Sequence, residues 1–284
     1  MEQERLKQDM KFDSTTEGQN LLDAYTWFGD QDVINSMVNA VIEVVKSRDT
    51  NEALKILGIG VGTAKLETAI KDGLQDKGFK IDIFVSDRLI EPLMKISDEE
   101  LMRFTANNRN IPFDDECVDI VIARSVTHYE PTLDDERTVL KEIKRILKPG
   151  GVFVDQAPTF LFDTEKKLLI EIHALLPKIM NGQTKEETKQ MLEDVFDDVV
   201  ESPSQTEKML TVNKDDFIKR YLPNRDKFES EQNFETALQN FNALIPRIIE
   251  MIETIPEEQR PNVWVKENDF GWRLPFTIFN CKKK

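Results

Sequence analysis

Between Ala53 and Leu74 the chain changes periodicity without a pause. Ala53-Leu54-Lys55-Ile56-Leu57 runs into Gly58-Ile59-Gly60-Val61-Gly62, and from Thr63 onward Leu66, Ala69, Ile70 and Leu74 recur at helical spacing. A short apolar run that stops at glycines and resumes as an amphipathic helix reads as strand, tight turn and helix. The pattern then repeats. Ile81-Asp82-Ile83-Phe84-Val85 is a second short strand closing at Ser86-Asp87, followed by a helix around 90–96 and a weak strand near 102–106. A strand over 118–123, a helix over 133–147 and the turn Pro149-Gly150-Gly151 lead into a strand over 152–156. Strands alternating with helices of about 10–15 residues predict βαβ units and a parallel sheet.

The flanking segments differ. Residues 1–18 are polar and mixed in charge and read as a flexible arm. Over 20–46 the apolar positions Val33, Ile34, Met37, Val38, Val41, Ile42 and Val45 form one helical stripe, with Asp30 as its N-cap. Past Ala157-Pro158 the texture becomes helical: 164–180, 186–199 and 232–254, with a shorter helix over 213–221. Only 262–266 and 274–281 read there as strands.

Composition narrows the partners. The 284 residues carry 38 Lys and Arg against 53 Asp and Glu, a formal charge of −15. A surface this acidic repels phosphate backbones and anionic headgroups, so neither nucleic acid nor membrane is the expected partner. No stretch approaches the ~18 apolar residues of a membrane span, and the first residues lack the apolar core of a signal peptide. Two cysteines and two histidines leave no disulfide framework and no Cys/His metal site. The expectation is a cytoplasmic protein.

A glycine turn between strand and helix has a physical use. Glycine lets a ligand approach the backbone, and the helix start offers unpaired N–H groups at the positive end of its dipole. The spacing Gly58-x-Gly60-x-Gly62 is neither the dinucleotide fingerprint nor a phosphate loop. Asp87 closes the next strand, 25 residues after Gly62, where a carboxylate can accept both hydroxyls of a ribose or simply cap its loop. Two further stretches follow: Asn107-Asn108-Arg109-Asn110-Ile111-Pro112-Phe113-Asp114-Asp115 with Asp119 beyond it, and Arg145-Ile146-Leu147-Lys148-Pro149-Gly150-Gly151.

In these four landmarks, taken in order over roughly residues 30–160, the chain resembles the class I S-adenosylmethionine-dependent methyltransferases, in their small-molecule branch. The resemblance implies a Rossmann-like, doubly wound, mostly parallel seven-stranded sheet with a helical cap insertion. It divides the chain into the arm 1–18, an S-adenosylmethionine-binding domain over 19–160, a cap over 161–261 and a final strand pair over 262–284 completing the sheet. It also implies roles. Gly58, Gly60, Gly62 and Thr63 would approach the methionyl part of S-adenosylmethionine, Asp87 would hold the ribose, and Asn107 would stand where the family has an aspartate facing the adenine amino group. Ile111 and Phe113 would pack beside the adenine ring, Phe113 alternatively in the core.

One departure stands out. The family's glycine turn is preceded by an acid, in the order acid-x-Gly-x-Gly-x-Gly, and here that acid is missing. If Gly58 is the first glycine, Ile56 takes the acid's place; if Gly60 is first, Gly58 takes it and Ala64 replaces the last glycine. The second register keeps Ile56 and Leu57 buried and is preferred.

Facing the methyl, just beyond the fourth strand, would lie Arg124, Ser125, Thr127, His128 and Tyr129. Arg124 belongs to the cofactor side, an acceptor carboxylate or the rim, and His128 is the one titratable candidate base near neutral pH in this segment, or a structural histidine. Tyr25 and Trp27, with Tyr129, are candidates for the acceptor side, the first two as an aromatic lid over the sulfonium or as an anchor for the arm. Phe160, Phe162, Phe217, Tyr221, Phe241 and Trp272 are candidate lining residues of the cap or members of its core. The activity expected is methyl transfer to an oxygen or nitrogen of a small-molecule acceptor by in-line displacement, with a homodimer compatible. The alternative is a non-catalytic cofactor-binding protein or interaction scaffold on the same fold.

Overall fold

The computed structural model describes residues 30–46, 48, 52–174, 182–205, 209–221, 230–267 and 269–284. The segment 1–18, Tyr25 and Trp27 lie outside the described residues. In chain order the elements begin α1 (Gln31–Lys46), β1 (Leu54–Ile59), α2 (Lys65–Gln75), β2 (Ile81–Asp87), α3 (Ile90–Met94) and β3 (Met102–Thr105). Next come β4 (Val118–Arg124), a 3-10 turn (Thr127–Tyr129), α4 (Leu133–Ile146), β5 (Leu147–Pro158), α5 (Asp163–Ala174) and α6 (Lys185–Glu193). The chain continues through β6 (Asp198–Glu201), β7 (Met209–Asn213), α7 (Lys214–Tyr221), α8 (Glu231–Glu253), β8 (Val263–Lys266) and β9 (Asp269–Lys282).

Two compact units interleave along this order. One draws on 29–161, 180–209 and 275–284, and the other on 162–179 and 210–274. The segment read as a single insertion, 161–261, therefore contributes to both.

The first unit is built on the strand order β3-β2-β1-β4-β5-β9-β6. The pairs from β3 through β5 are parallel, β9 runs antiparallel to β5, and β6 antiparallel to β9. This is the doubly wound, mostly parallel sheet that the sequence predicts. Its central strands are buried on both faces, and strict alternation divides their side chains between two cores. Ile56, Ile83, Val85, Ile120, Ile122, Val154 and Ile278 point to one side, where Met37, Val41 and Val45 of α1 and Leu66, Ile70 and Leu74 of α2 cover them. Leu57, Ile59, Val121, Phe153, Phe279 and Cys281 point to the other, against Val139, Leu140 and Ile143 of α4 and Met191 and Leu192 of α6.

Local signals set several boundaries. Asp30 caps α1 as expected, its Oδ1 accepting from the N–H groups of Asp32 at 2.9 Å and Val33 at 3.3 Å. At α6 the expected helix over 186–199 stops early. Thr184 and Glu187 form a capping box at its start, the helix ends at Glu193, and 198–201 pair with β9 instead. The β-branched Val199 is buried opposite Cys281, so docking on an open strand outweighs continuing the helix. β7 is likewise a strand that helical spacing did not reveal, and β9 begins at 269 rather than 274.

In the second unit, β8 forms an antiparallel hairpin with Asp269–Trp272. Phe217 of α7 sits 5.6 Å from Phe241 of α8, 5.6 Å from Phe270 and 5.5 Å from Trp272, ring centroid to ring centroid. All four rings are buried, so Phe217, Phe241 and Trp272 are core residues of this unit. Phe160 is buried in the first unit, and Phe162 is exposed. Among the described residues no helix is long and apolar enough to cross a membrane.

The N-terminal ends of the first unit's strands are tied by one carboxylate. Asp119 on β4 accepts from the Lys55 N–H at 3.0 Å and from Lys148 Nζ at 2.8 Å, and pairs with Arg48 at 3.4 Å. Arg48 in turn donates to the Gly150 carbonyl at 2.6 Å. Asp119 of the third landmark and the Pro-Gly-Gly turn thus serve the base of the sheet. Asp119→Ala, which orphans the Lys55 N–H and two cations, is expected to lower stability by about 2–3 kcal/mol in urea unfolding; a change below about 0.5 kcal/mol would contradict this.

Candidate functional site

The strand order turns back on itself between β1 and β4, and open α/β sheets bind ligands outside the carboxyl ends of their strands at that switch. The glycine turn sits there. Gly60, Gly62 and Ala64 all have left-handed backbone, at φ 60°, 54° and 54°. Gly58 lies within β1, paired with Val85 and Ile122. The structure therefore takes the second register: Gly58 occupies the place of the family's acid, and Ala64 adopts a conformation suited to glycine. An alanine in the left-handed region costs roughly 1–2 kcal/mol, and such strain concentrates at functional sites.

Gly60 is needed for space as well. A Cβ there would fall 2.8 Å from both γ carbons of Val126. Val126 is aimed at the turn because Ser125, at the exit of β4, is itself left-handed at φ 55°, its N–H held by the Gln156 carbonyl at 2.8 Å. The helix that follows the turn has no side-chain N-cap at Ala64, so its first N–H groups are not taken by a capping side chain.

Asp87 closes the crevice from β2. Its Oδ2 accepts from the Gly62 N–H at 3.0 Å and its Oδ1 from the Leu89 N–H at 3.0 Å. The backbone supports the same junction, with the Val61 N–H on the Ser86 carbonyl at 3.2 Å. The Asp87 carbonyl receives the Ala106 N–H at 3.1 Å, which sets Asn107 beside β2. Asn107 is exposed and organises its own loop, Oδ1 accepting from the Arg109 N–H at 3.0 Å.

That loop is fixed on two sides. Arg109 Nε donates to Glu130 at 2.7 Å and Nη1 pairs with Asp135 at 3.2 Å. Ile111 is buried, its N–H on Glu142 at 2.8 Å and its carbonyl receiving Arg145 at 3.1 Å. Phe113 packs edge-on to Phe84 at 5.2 Å and near Phe104 at 5.6 Å. Ile111 is thus a core residue, and Phe113 joins an aromatic cluster on β2 and β3.

The structure brings Gly58, Gly60, Gly62, Asp87, Asn107 and Arg124 to the carboxyl ends of β1 to β4. His128 is placed differently. It lines a small cavity with Thr127, Glu136, Ala157, Pro158, Phe160, Gly182, Gln183 and Thr188, and its ring lies 4.3 Å from that of the exposed Tyr129.

Three buried acids escape a reading that follows apolar periodicity. Glu67 of α2 is 4% exposed, and burial raises its carboxyl to about 7 against the pull of Arg124. Glu136 of α4 accepts from Gln183 at 2.7 Å, and burial raises it to about 7. Asp155 of β5 is buried beside it, pushed up to about 8 by burial and by the Glu136 charge. Among the described residues Asp155 Oδ1 has no hydrogen-bond partner. A glutamate on the strand-facing side of α2, following a glycine in an acid's place, is the one signal the sequence offered for Glu67.

The family model described as a methyltransferase domain matches residues 57–155. Demethylmenaquinone methyltransferase of Staphylococcus epidermidis is 28% identical over 113 residues, covering 39% of this chain and 46% of that protein. The chain thus spans about half the length of the curated relatives it matches. Among solved structures, the YcgJ protein from Bacillus subtilis aligns at TM-score 0.60 and 16% identity, over 87% of this chain and 99% of its own. A methyltransferase from Thermotoga maritima, described as a possible histamine N-methyltransferase, aligns at TM-score 0.52 and 13% identity, over 95% and 99%. These structures show a shared fold. The doubly wound sheet with a glycine turn at its switch point defines a Rossmann-like protein. More particularly, residues 57–155 of the chain match a methyltransferase domain.

The buried acid pair predicts a pH dependence. Asp155 and Glu136 hold their protons more tightly folded than at the ordinary values of 3.8 and 4.5, so stability is lost as pH rises toward and through about 8 and 7. With Glu67 at about 7 adding to the pair, urea unfolding is expected to show a loss of roughly 5 kcal/mol between about pH 6 and 8.5. Asp155→Asn should remove about half of it, and parallel pH profiles for the two proteins would contradict the assignment.

Proposed function

We propose that this chain binds S-adenosylmethionine in the crevice between β1 and β4 and transfers its methyl group to an oxygen or nitrogen of a small molecule by in-line displacement. The observation that carries the reading is the clasp between the glycine turn and Asp87, lying at the switch point inside the segment that matches a methyltransferase domain. The residues present fit such a nucleoside. Gly60 leaves bare backbone where a Cβ would collide, and two of the roughly four lone-pair positions of Asp87 remain open for ribose hydroxyls. Asn107 Oδ1 keeps a second lone pair for an adenine amino group.

The cofactor supplies a methyl group already activated on a sulfonium. The chain's own work is to bind, orient and exclude water. Gly60, Gly62 and Thr63 offer the turn to the methionyl part. The strained exit of β4 at Ser125 and the ties from Arg109 to Glu130 and Asp135 hold the crevice rim in place. An amine acceptor arriving neutral needs no base, whereas a hydroxyl does, and His128 is the side chain beyond β4 suited to take that proton.

Calorimetric titration tests the reading: binding of S-adenosylmethionine is expected, and no binding at millimolar cofactor would overturn it. Asp87→Ala should weaken binding by about 2 kcal/mol through loss of charge-assisted hydrogen bonds; unchanged affinity would place the ribose elsewhere. With a hydroxyl acceptor, His128→Ala should lower turnover by about a hundredfold or more. A loss of only severalfold would assign His128 to the cavity wall.

A further inference from the structure

The missing acid leaves a gap in the family pattern, and the structure shows what fills it. A Cβ built on Gly58 would lie 2.7 Å from Glu67 Cγ and 3.0 Å from Glu67 Oε1. The side chain of Glu67 therefore occupies the volume that a side chain at position 58 would need. It enters from α2, on the face of the sheet to which Ile56 and Ile122 also point. Arg124 at the end of β4 and Asp87 at the end of β2 are the charged groups that act on it there, and β1 contributes only the bare glycine. A carboxylate has moved from the strand to the helix that packs on it.

We propose that Glu67 is a cofactor-positioning residue: it supplies from α2 the negative charge that Gly58 lacks, and sets it against the cationic methionyl end of the cofactor behind the glycine turn. This rests on the reading of the crevice as an S-adenosylmethionine site. Gly58 and Glu67 then act as a pair. Glycine at 58 is what admits the glutamate, and the glutamate is what makes glycine at 58 acceptable to a site that holds a cation. Arg124 draws the carboxyl toward ionisation although burial still raises it, and Asp87 opposes that ionisation while remaining bound to Gly62 and Leu89.

The test compares three ligands on the whole chain by calorimetry: S-adenosylmethionine, S-adenosylhomocysteine and adenosine, which lacks the methionyl end. Glu67→Gln keeps the volume and removes the charge. It should weaken the first two by about tenfold and leave adenosine within about twofold. Equal weakening of all three would mean a purely structural residue, and no weakening of any would also overturn the proposal. Because the Glu67 carboxyl stands at about 7, wild-type affinity for S-adenosylmethionine should rise from pH 6 to pH 8, and the Gln variant should lose that rise. Moving the charge back supplies a second arm. Gly58→Asp combined with Glu67→Ala should bind several-fold more tightly than Glu67→Ala alone; if it binds no better while folded by circular dichroism, the two positions are not interchangeable and the proposal fails. If the double variant does not fold, the Gln comparison decides. A wild-type chain that binds none of the three ligands overturns the proposed function, and this inference with it; a wild type that binds all three equally to the Gln variant overturns this inference alone.

Discussion

One carboxylate joins the ends of two neighbouring strands. Asp87 takes the N–H of Gly62 on one oxygen and that of Leu89 on the other, so the turn after β1 and the turn after β2 share an anchor. A parallel sheet leaves the carboxyl ends of its strands in loops, and loops hold a geometry only where something ties them. Here the tie is short-range, charged on one side and made to backbone on the other, the combination that makes a hydrogen bond strong. The Asp87 contact holds the left-handed turn at Gly62, and Val126 on the other side leaves no room for a Cβ at Gly60.

Around this anchor the polar side chains divide between the two faces of the sheet. Asp87, Arg124 and Gln156 follow the parity of Val85, Ile122 and Val154, and so lie on the α1 and α2 side, where Glu67 of α2 also sits. Gln156 there reaches Ser36 of α1 at 3.3 Å. Asp155 follows Phe153 to the other side, where Glu136 and Gln183 meet it under α4. The first group sets Glu67 beside Arg124, whose opposite charges partly offset the burial of each other. The second gathers two acids: burial raises both, and the Glu136 charge raises Asp155 further. One sheet thus carries an acid beside a cation on one face and a pair of buried acids on the other.

Much of the fold is visible in local pattern. The strand–turn–helix at 54–75, the N-cap at Asp30 and the second strand ending at Asp87 each follow from residues a few positions apart. The candidate site was visible to the same extent: the glycines and Asp87 meet, and the register that keeps Ile56 and Leu57 buried is the one adopted. Other features were not visible. β6 is four residues long and follows a helix whose apolar spacing runs straight into it, and only the open side of β9 makes it a strand. Phe217, Phe241 and Trp272 are ordinary apolar residues in sequence, and nothing local says that they meet Phe270 in a core rather than line a pocket.

Sequence alone determined the alternation of strands and helices, the place of the glycine turn and the acid that follows it, because periodicity and turn chemistry act over a few residues. Tertiary structure alone decided that Glu67 fills the space left by Gly58, that Glu136 and Asp155 share a buried cluster, and that Ile111 belongs to the core. Each of those depends on which helix face packs over which strand, and burial, which sets the charge of a carboxyl, exists only once the layers have closed.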